Sequence, residues 1–171
     1  MSTAIVTTST EQTLAWGQLI GNLAQPGACI ALDGILGVGK TQLVRGIALG
    51  ARVEDVSLVC SPTYCLLNIY RADSTVAGSK TLYHLDAYRV RDADQFAAVG
   101  FEELLEQQGL VVLEWASRVP NLLPDDHLAI IGTVEAEFSR RWCMRAGGPV
   151  SNQLMESVAA NWSRLSGAGQ K

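Results

Sequence analysis

The residues best suited to chemistry lie together at 34–41, Gly34-Ile35-Leu36-Gly37-Val38-Gly39-Lys40-Thr41. They form the GxxxxGK[ST] pattern of a phosphate-binding loop. Glycines at 34, 37 and 39 reach backbone angles that other residues resist, so successive N–H groups can turn inward onto one anion. Lys40 can reach terminal phosphates, and the Thr41 hydroxyl is a ligand for Mg²⁺. Leu36, Val38 and Gln42 belong to the same run and are expected to share the nucleotide contact. The flanks agree with this reading. Cys29-Ile30-Ala31-Leu32 is an apolar run of strand type, and Leu43, Val44 and Ile47 recur at helical spacing, so a helix N-terminus faces the anion.

Hydrolysis of a nucleotide needs an acidic contact to Mg²⁺ and a group that orients the attacking water. Such acids sit at the carboxyl ends of central strands, where ligands bind in this class of fold. Asp86 follows Leu82-Tyr83-His84-Leu85, and Glu114 follows Leu110-Val111-Val112-Leu113. The plainer alternative for each is a strand-end carboxylate satisfied by a neighbouring cap. Trp115 either stacks on a base or packs in the core. Ser61-Pro62-Thr63 is either a switch that senses the terminal phosphate or an ordinary turn. Arg140, Arg141 and Arg145 read as a solvated edge strand sooner than as a partner face. No N/T-K-x-D guanine motif is present, so ATP is preferred over GTP.

Composition narrows the class. The 171 residues are 48% hydrophobic, enough for one domain with a full core. No apolar run approaches the roughly 18 residues that span a bilayer. The start, Met1-Ser2-Thr3-Ala4-Ile5-Val6, lacks the basic and apolar segments of a signal peptide, so a cytoplasmic protein is expected. A net charge of −4 argues against broad nonspecific nucleic-acid binding. Cys29, Cys60, Cys65 and Cys143 contain no CxxC pair and are expected to be small buried hydrophobes. His84 and His127 are too few and too far apart for a zinc site.

The elements that must position these groups follow from pattern. A strand is predicted over 3–8. A capping box at Ser9-Thr10-Glu11-Gln12 then opens a helix with Trp16, Leu19, Ile20 and Leu23 on one face, ended by Pro26-Gly27. Gly50 is expected to cap the helix after the phosphate loop. Residues 56–70 read as strand, turn, strand, and 71–80 as a flexible loop. Strands follow at 82–86 and 110–113, separated by a helical region that begins at Asp92-Ala93-Asp94-Gln95 and includes Phe101 to Gln108. Segments 127–134 and 138–145 predict an antiparallel pair, and 152–165 a last helix. The chain therefore reads as one domain over 1–165 with a disordered tail over 166–171. The expected fold is a three-layer α/β P-loop NTPase with a central, mostly parallel sheet and an antiparallel C-terminal strand pair.

Taken together, the motifs resemble the TsaE (YjeE) family, small bacterial ATPases needed for threonylcarbamoyladenosine modification of tRNA. The resemblance rests on Gly34 to Thr41, Ser61-Pro62-Thr63-Tyr64, Leu82-Tyr83-His84-Leu85-Asp86-Ala87-Tyr88-Arg89, and Glu114-Trp115 with Arg118, in the family's order. It implies Lys40 and Thr41 on phosphate and Mg²⁺, Glu114 on Mg²⁺, and Asp86 as an acid needed for hydrolysis. It further implies Trp115 near the adenine and Thr63 in a switch-like loop. The implied cofactors are ATP and Mg²⁺. The implied partners are the TsaB and TsaD proteins, with tRNA reached through that complex and turnover weak without it. Ile35 departs from the family's usual acidic residue, Gln42 stands where a second threonine is common, and the 71–80 loop is longer than in many members. A small-molecule kinase is the alternative enzyme, although 71–80 holds one arginine and no lid pattern. A nonhydrolysing nucleotide-binding module is the other.

Overall fold

The computed structural model describes residues 2–90, 96 and 100–167. Its strands are β1 (Ser2–Thr7), β2 (Cys29–Gly34), β3 (Leu67–Tyr70), β4 (Leu82–Asp86), β5 (Leu110–Glu114), β6 (Leu128–Val134) and β7 (Arg140–Ala146). Its helices among the described residues are α1 (Thr10–Leu23), α2 (Lys40–Ala51), α3 (Phe101–Glu106) and α4 (Pro149–Gly167). The strands form one sheet in the order β1-β7-β6-β2-β5-β4-β3. β6, β2, β5 and β4 run parallel, and β7 returns antiparallel to β6 as expected. β1 and β3 add antiparallel edges on the two sides.

Continuous apolar runs became the middle of the sheet. Every residue of β4 and β5 is buried, as strands covered on both faces require. Ile30, Leu32, Val112, Trp142 and Met144 face one layer with Val44, Ile47 and Val158. Cys29, Ala31, Leu85, Val111 and Leu113 face the other with Phe96, Phe101 and Leu104. Helices thus cover both faces, which is the expected three-layer α/β arrangement. Among the described residues no helix is long and apolar enough to cross a membrane.

The capping box forms with one change. Ser9 Oγ accepts from the Gln12 N–H at 3.2 Å, but the Gln12 amide oxygen reaches past Ser9 to the Thr8 N–H at 2.8 Å. Gly50 is not a cap. It lies inside α2, and Arg52 takes the left-handed position that ends the helix. A Cβ on Gly50 would come within 2.1 Å of the Gln18 carbonyl oxygen, and one on Gly21 within 2.1 Å of the Ile47 carbonyl oxygen. Glycine at these positions lets the backbones of α1 and α2 touch, pressing the phosphate-loop helix against α1.

Other expectations shift. Residues 56–58 form a 3₁₀ turn, not a strand, because Asp55 caps the turn through the Ser57 N–H and the Tyr70 hydroxyl donates to the Cys60 carbonyl. These side-chain bonds replace a strand ladder. The 71–80 segment is a loop, fastened by Arg52 to the Ala77 carbonyl and by Lys80 Nζ to the Asn22 and Ala24 carbonyls. Asp92 to Gln95, where the helical region was expected to begin, lie outside the described residues. The last helix is longer than its periodicity indicated and runs through Gly167, so the expected tail does not begin at Ser166. Residues 168–171 lie outside the described set. Three cysteines, Cys60, Cys65 and Cys143, are exposed, contrary to expectation. The first two flank a surface turn, and Cys143 points outward between buried Trp142 and Met144. Cys29 alone is buried, which pushes its thiol up to about 12.

An alanine inside a helix normally stabilises relative to glycine by about 1 kcal/mol. At Gly50 the contact with α1 reverses the sign. Gly50→Ala is expected to cost about 1–3 kcal/mol and to lower the melting temperature by roughly 3–10 °C. A raised melting temperature would mean that the two helices are free to separate.

Candidate functional site

β2 ends at Gly34 and the chain turns directly into α2. Gly37 and Gly39 have φ of 80° and 107°, the left-handed region in which a Cβ is strained. Gly34, at φ 141°, also meets the Gly132 carbonyl oxygen, which would lie 2.6 Å from an added Cβ. Val38 is buried and anchors the loop, whereas Ile35 and Leu36 are 63% and 81% exposed. Gly39 is the N-cap of α2, and among the described residues no side-chain hydrogen bond caps that terminus. The first turn therefore presents backbone N–H groups and the positive end of the helix dipole to an anion.

Lys40 is 5% exposed. Its Nζ donates to the carbonyls of Gly34 at 2.8 Å and Ile35 at 3.2 Å, and lies 3.9 Å from the centre of the Trp115 ring. Burial pushes its pKa below the usual lysine range, and the carboxylates of Glu114, Asp86 and Asp33 act against that shift. The ammonium is thus stored beside the place where a phosphate would sit.

The two strand-end acids meet across the sheet, since Asp86 pairs with Glu114 in register. Both are 2% exposed. Asp86 Oδ2 accepts from Ser61 Oγ at 2.8 Å and Thr63 Oγ1 at 2.7 Å, and Oδ1 accepts from the Tyr88 N–H at 2.7 Å. The Ser-Pro-Thr turn is therefore tied to the acid 23 residues beyond Thr63. Glu114 Oε1 lies 3.0 Å from His84 Nε2. Trp115 adopts the left-handed conformation at φ 58°, its N–H held by the Leu32 carbonyl at 2.8 Å. Its ring is half-buried against Tyr88, with centroids 5.0 Å apart.

One cleft of about 310 Å³ gathers these groups. Leu36, Gly37, Gly39, Lys40, Thr41 and Gln42 line one side, and Thr63, Asp86, Glu114 and Trp115 the other. Of the residues singled out in the sequence, Gly34 and Val38 support the loop from behind. Pattern alone missed Ser61, Tyr88 and His84 as neighbours of the two acids, although all three lie inside quoted motifs. It also missed a second cleft of about 180 Å³ on the far side of the loop. Ser9, which caps α1, and Thr10 and Thr13 within it face Glu137, Phe138 and Arg140 of the β6–β7 hairpin there, and Gly37, Gly39 and Gln42 border both clefts. Its one sequence cue is Phe138, an aromatic residue 70% exposed at a hairpin tip. β7 lies between β1 and β6, so Arg140, Arg141 and Arg145 are not on the edge strand expected of them, and Arg140, fixed by the Val38 carbonyl at 3.1 Å, braces the loop. Arg89 stacks on the exposed Tyr64 ring and Arg118 is exposed; neither lines the main cleft.

The donor set suits a magnesium-bound phosphate. An uncapped helix N-terminus and a stored ammonium match the anion. The Thr41 hydroxyl and Glu114 carboxylate are hard oxygen ligands of the kind Mg²⁺ takes alongside water and phosphate. Among the described residues no group of three or more His, Cys, Asp or Glu could hold a metal unaided. Mg²⁺ bound partly by substrate needs no such cage.

A family model described as "Threonylcarbamoyl adenosine biosynthesis protein TsaE" matches residues 7–142. A Treponema pallidum protein named tRNA threonylcarbamoyladenosine biosynthesis protein TsaE is 36% identical over 135 residues, 79% of this chain and 94% of that protein. A Bacillus subtilis protein of the same name is 34% identical over 153 residues, 90% of this chain and 91% of that one. The crystal structure of YdiB from Bacillus subtilis matches with a TM-score of 0.77 and 27% identity, covering 94% of this chain and 96% of that one.

The stored ammonium has a cost for stability. A base whose pKa is lowered by folding opposes folding while it is charged. That penalty is present at neutral pH and fades as pH rises through the lowered value toward the ordinary 10.5. Lys40→Met is therefore expected to melt at or above the wild-type temperature at pH 7 without nucleotide, with the gap narrowing as pH rises. A melting temperature several degrees lower would show that Lys40 holds the loop up structurally.

Proposed function

The chain belongs to the TsaE family, and from that premise we propose that it binds ATP with Mg²⁺ and hydrolyses the nucleotide as an accessory subunit in making threonylcarbamoyladenosine in tRNA. The observation that carries this reading is the convergence of Lys40, Thr41, Thr63, Asp86 and Glu114 on one cleft at the uncapped start of α2.

The backbone N–H groups of residues 37–42 cradle the phosphates, and Lys40 exchanges its two carbonyl acceptors for phosphate oxygens. Thr41 and Glu114 hold Mg²⁺. When bound, that ion neutralises charge on the phosphate oxygens and fixes their orientation. Asp86 orients the attacking water once Ser61 and Thr63 release Oδ2, which makes the Ser61–Tyr64 turn the switch. Two seats are open to the adenine. The family resemblance favours Trp115. The Lys40 ammonium over the Trp115 ring favours the Phe138 cleft instead, with Trp115 sensing nucleotide through the departure of that cation.

Among the described residues lining the main cleft, Lys40 is the only cation. Beyond that ammonium and the proposed Mg²⁺, a further cation donated in trans raises turnover by ~10³-fold or more in phosphate-loop enzymes. The TsaB and TsaD proteins are the proposed donors, tRNA is reached through them, and the cytoplasm is the proposed setting.

Labelled ATP separates this reading from its rivals. Phosphate is expected to pass to water, slowly with the chain alone and faster with TsaB and TsaD. Transfer to an acceptor would indicate a kinase, and no turnover even with both partners would indicate a binding module. Lys40→Ala is expected to lose about 2–3 kcal/mol of Mg·ATP affinity. Glu114→Ala is expected to abolish turnover, and Asp86→Ala to reduce it strongly while ATP still binds. Wild-type turnover by the Asp86 variant in the full complex would contradict its role. Phe138→Ala weakening ATP more than Trp115→Phe does would seat the base at the hairpin, and the reverse order would seat it on Trp115.

A further inference from the structure

His84 is fully buried on β4, two residues before Asp86 and on the same face of the sheet. It stands opposite Val112 in register, so Glu114, two residues further along β5, is its diagonal neighbour on that face. Its Nε2 lies 3.0 Å from Glu114 Oε1, while its Nδ1 is buried with no hydrogen-bond partner among the described residues. The Tyr70 ring packs nearby, with centroids 6.3 Å apart, and brings no bond to Nδ1.

A proton on Nδ1 would be buried without an acceptor, which is costly. The same proton on Nε2 donates to Glu114. One tautomer therefore satisfies both residues, and it consumes only one of the two oxygens of Glu114. From this we infer that His84 is a positioning residue: its Nε2–H holds Glu114 Oε1 and leaves Oε2 aimed into the cleft for the divalent cation.

The inference rests on the proposed Mg·ATP site but differs from it. Glu114 touches the ion, and His84 acts only through Glu114. Outer-shell partners of this kind typically change metal affinity or activity about 10–100-fold when removed. A merely structural histidine would affect stability and leave the cation requirement unmoved.

Two measurements test it. In ¹⁵N spectra of the full chain without nucleotide, the two histidines give few signals, and His127→Gln assigns them. His84 is expected with its proton on Nε2. A proton on Nδ1 would overturn the inference without involving ATP. The second measurement is ATP affinity titrated against Mg²⁺ for the wild type, His84→Leu and His84→Gln. His84→Leu is expected to raise the half-saturating Mg²⁺ about 10-fold or more, with affinity for ATP in EDTA unchanged. The Gln variant, whose amide N–H can still donate to Glu114, is expected to recover part of that loss. An unchanged Mg²⁺ midpoint in both variants would overturn the positioning role while leaving the nucleotide site standing. A wild type that binds no Mg·ATP would instead sink the site itself. If His84→Leu does not fold, the tautomer and the Gln midpoint decide the matter.

Discussion

Two carboxylates and one ammonium are buried at the carboxyl edge of the parallel sheet, and the register of β2, β5 and β4 forces them there. Leu32 pairs with Glu114 and Glu114 with Asp86, so the two acids end adjacent strands at the same height. A slip of one residue in either strand would turn its acid to the opposite face, toward the apolar layer of Phe96, Phe101 and Leu104. Burial of such groups is tolerated only with partners. Here Ser61, Thr63 and the Tyr88 N–H satisfy Asp86, His84 meets Glu114, and two loop carbonyls take Lys40. In the proposed nucleotide complex Ser61, Thr63 and the two loop carbonyls are the partners that would have to let go, while His84 stays on Glu114.

That arrangement accounts for the close seating of α2. A helix that presents its uncapped N-terminus to an anion cannot shift along its axis without moving Lys40 and Thr41. Gly17 of α1 faces Gly46 of α2, while Gly21 meets the backbone of Ile47 and Gly50 that of Gln18, all at distances that exclude a Cβ, so the backbones rest on each other and the helix is held against α1. On the opposite side of the loop, Arg140 grips the Val38 carbonyl, and Trp142 lies under Gly132 and Gly39. The loop is thereby braced by the antiparallel strand β7 as well as by the parallel centre of the sheet.

Much of this was legible in short stretches of sequence. The phosphate loop, the run from Leu82 to Asp86 and the run from Leu110 to Glu114 each carry their meaning within a few residues, because a doubly covered strand is apolar throughout and its first acid marks its end. What pattern missed depends on residues far apart in the chain. Gly50 resembles a helix cap until α1 is seen to lie against it. Val56 to Leu58 has strand composition, but Asp55 and Tyr70 hold the segment in a turn. The link from Thr63 to Asp86 spans two strands and a loop, and the Phe138 cleft exists only because the β6–β7 hairpin folds back beside α1. Cys60, Cys65 and Cys143 are of a type that is usually buried, but their positions at a turn and on the outward face of β7 prevailed.

We propose that the helix start and the strand-end acids form one metal–nucleotide site. A crystal structure of the chain with a nonhydrolysable ATP analogue and Mn²⁺ in place of Mg²⁺ tests it most directly, because manganese is located by its anomalous signal. A single strong peak is expected that touches the Thr41 hydroxyl, Glu114 and the terminal phosphates, with Lys40 swung from the Gly34 and Ile35 carbonyls onto phosphate oxygens. Manganese bound away from Thr41 and Glu114, or an analogue seated with Lys40 still on the loop carbonyls, would contradict it.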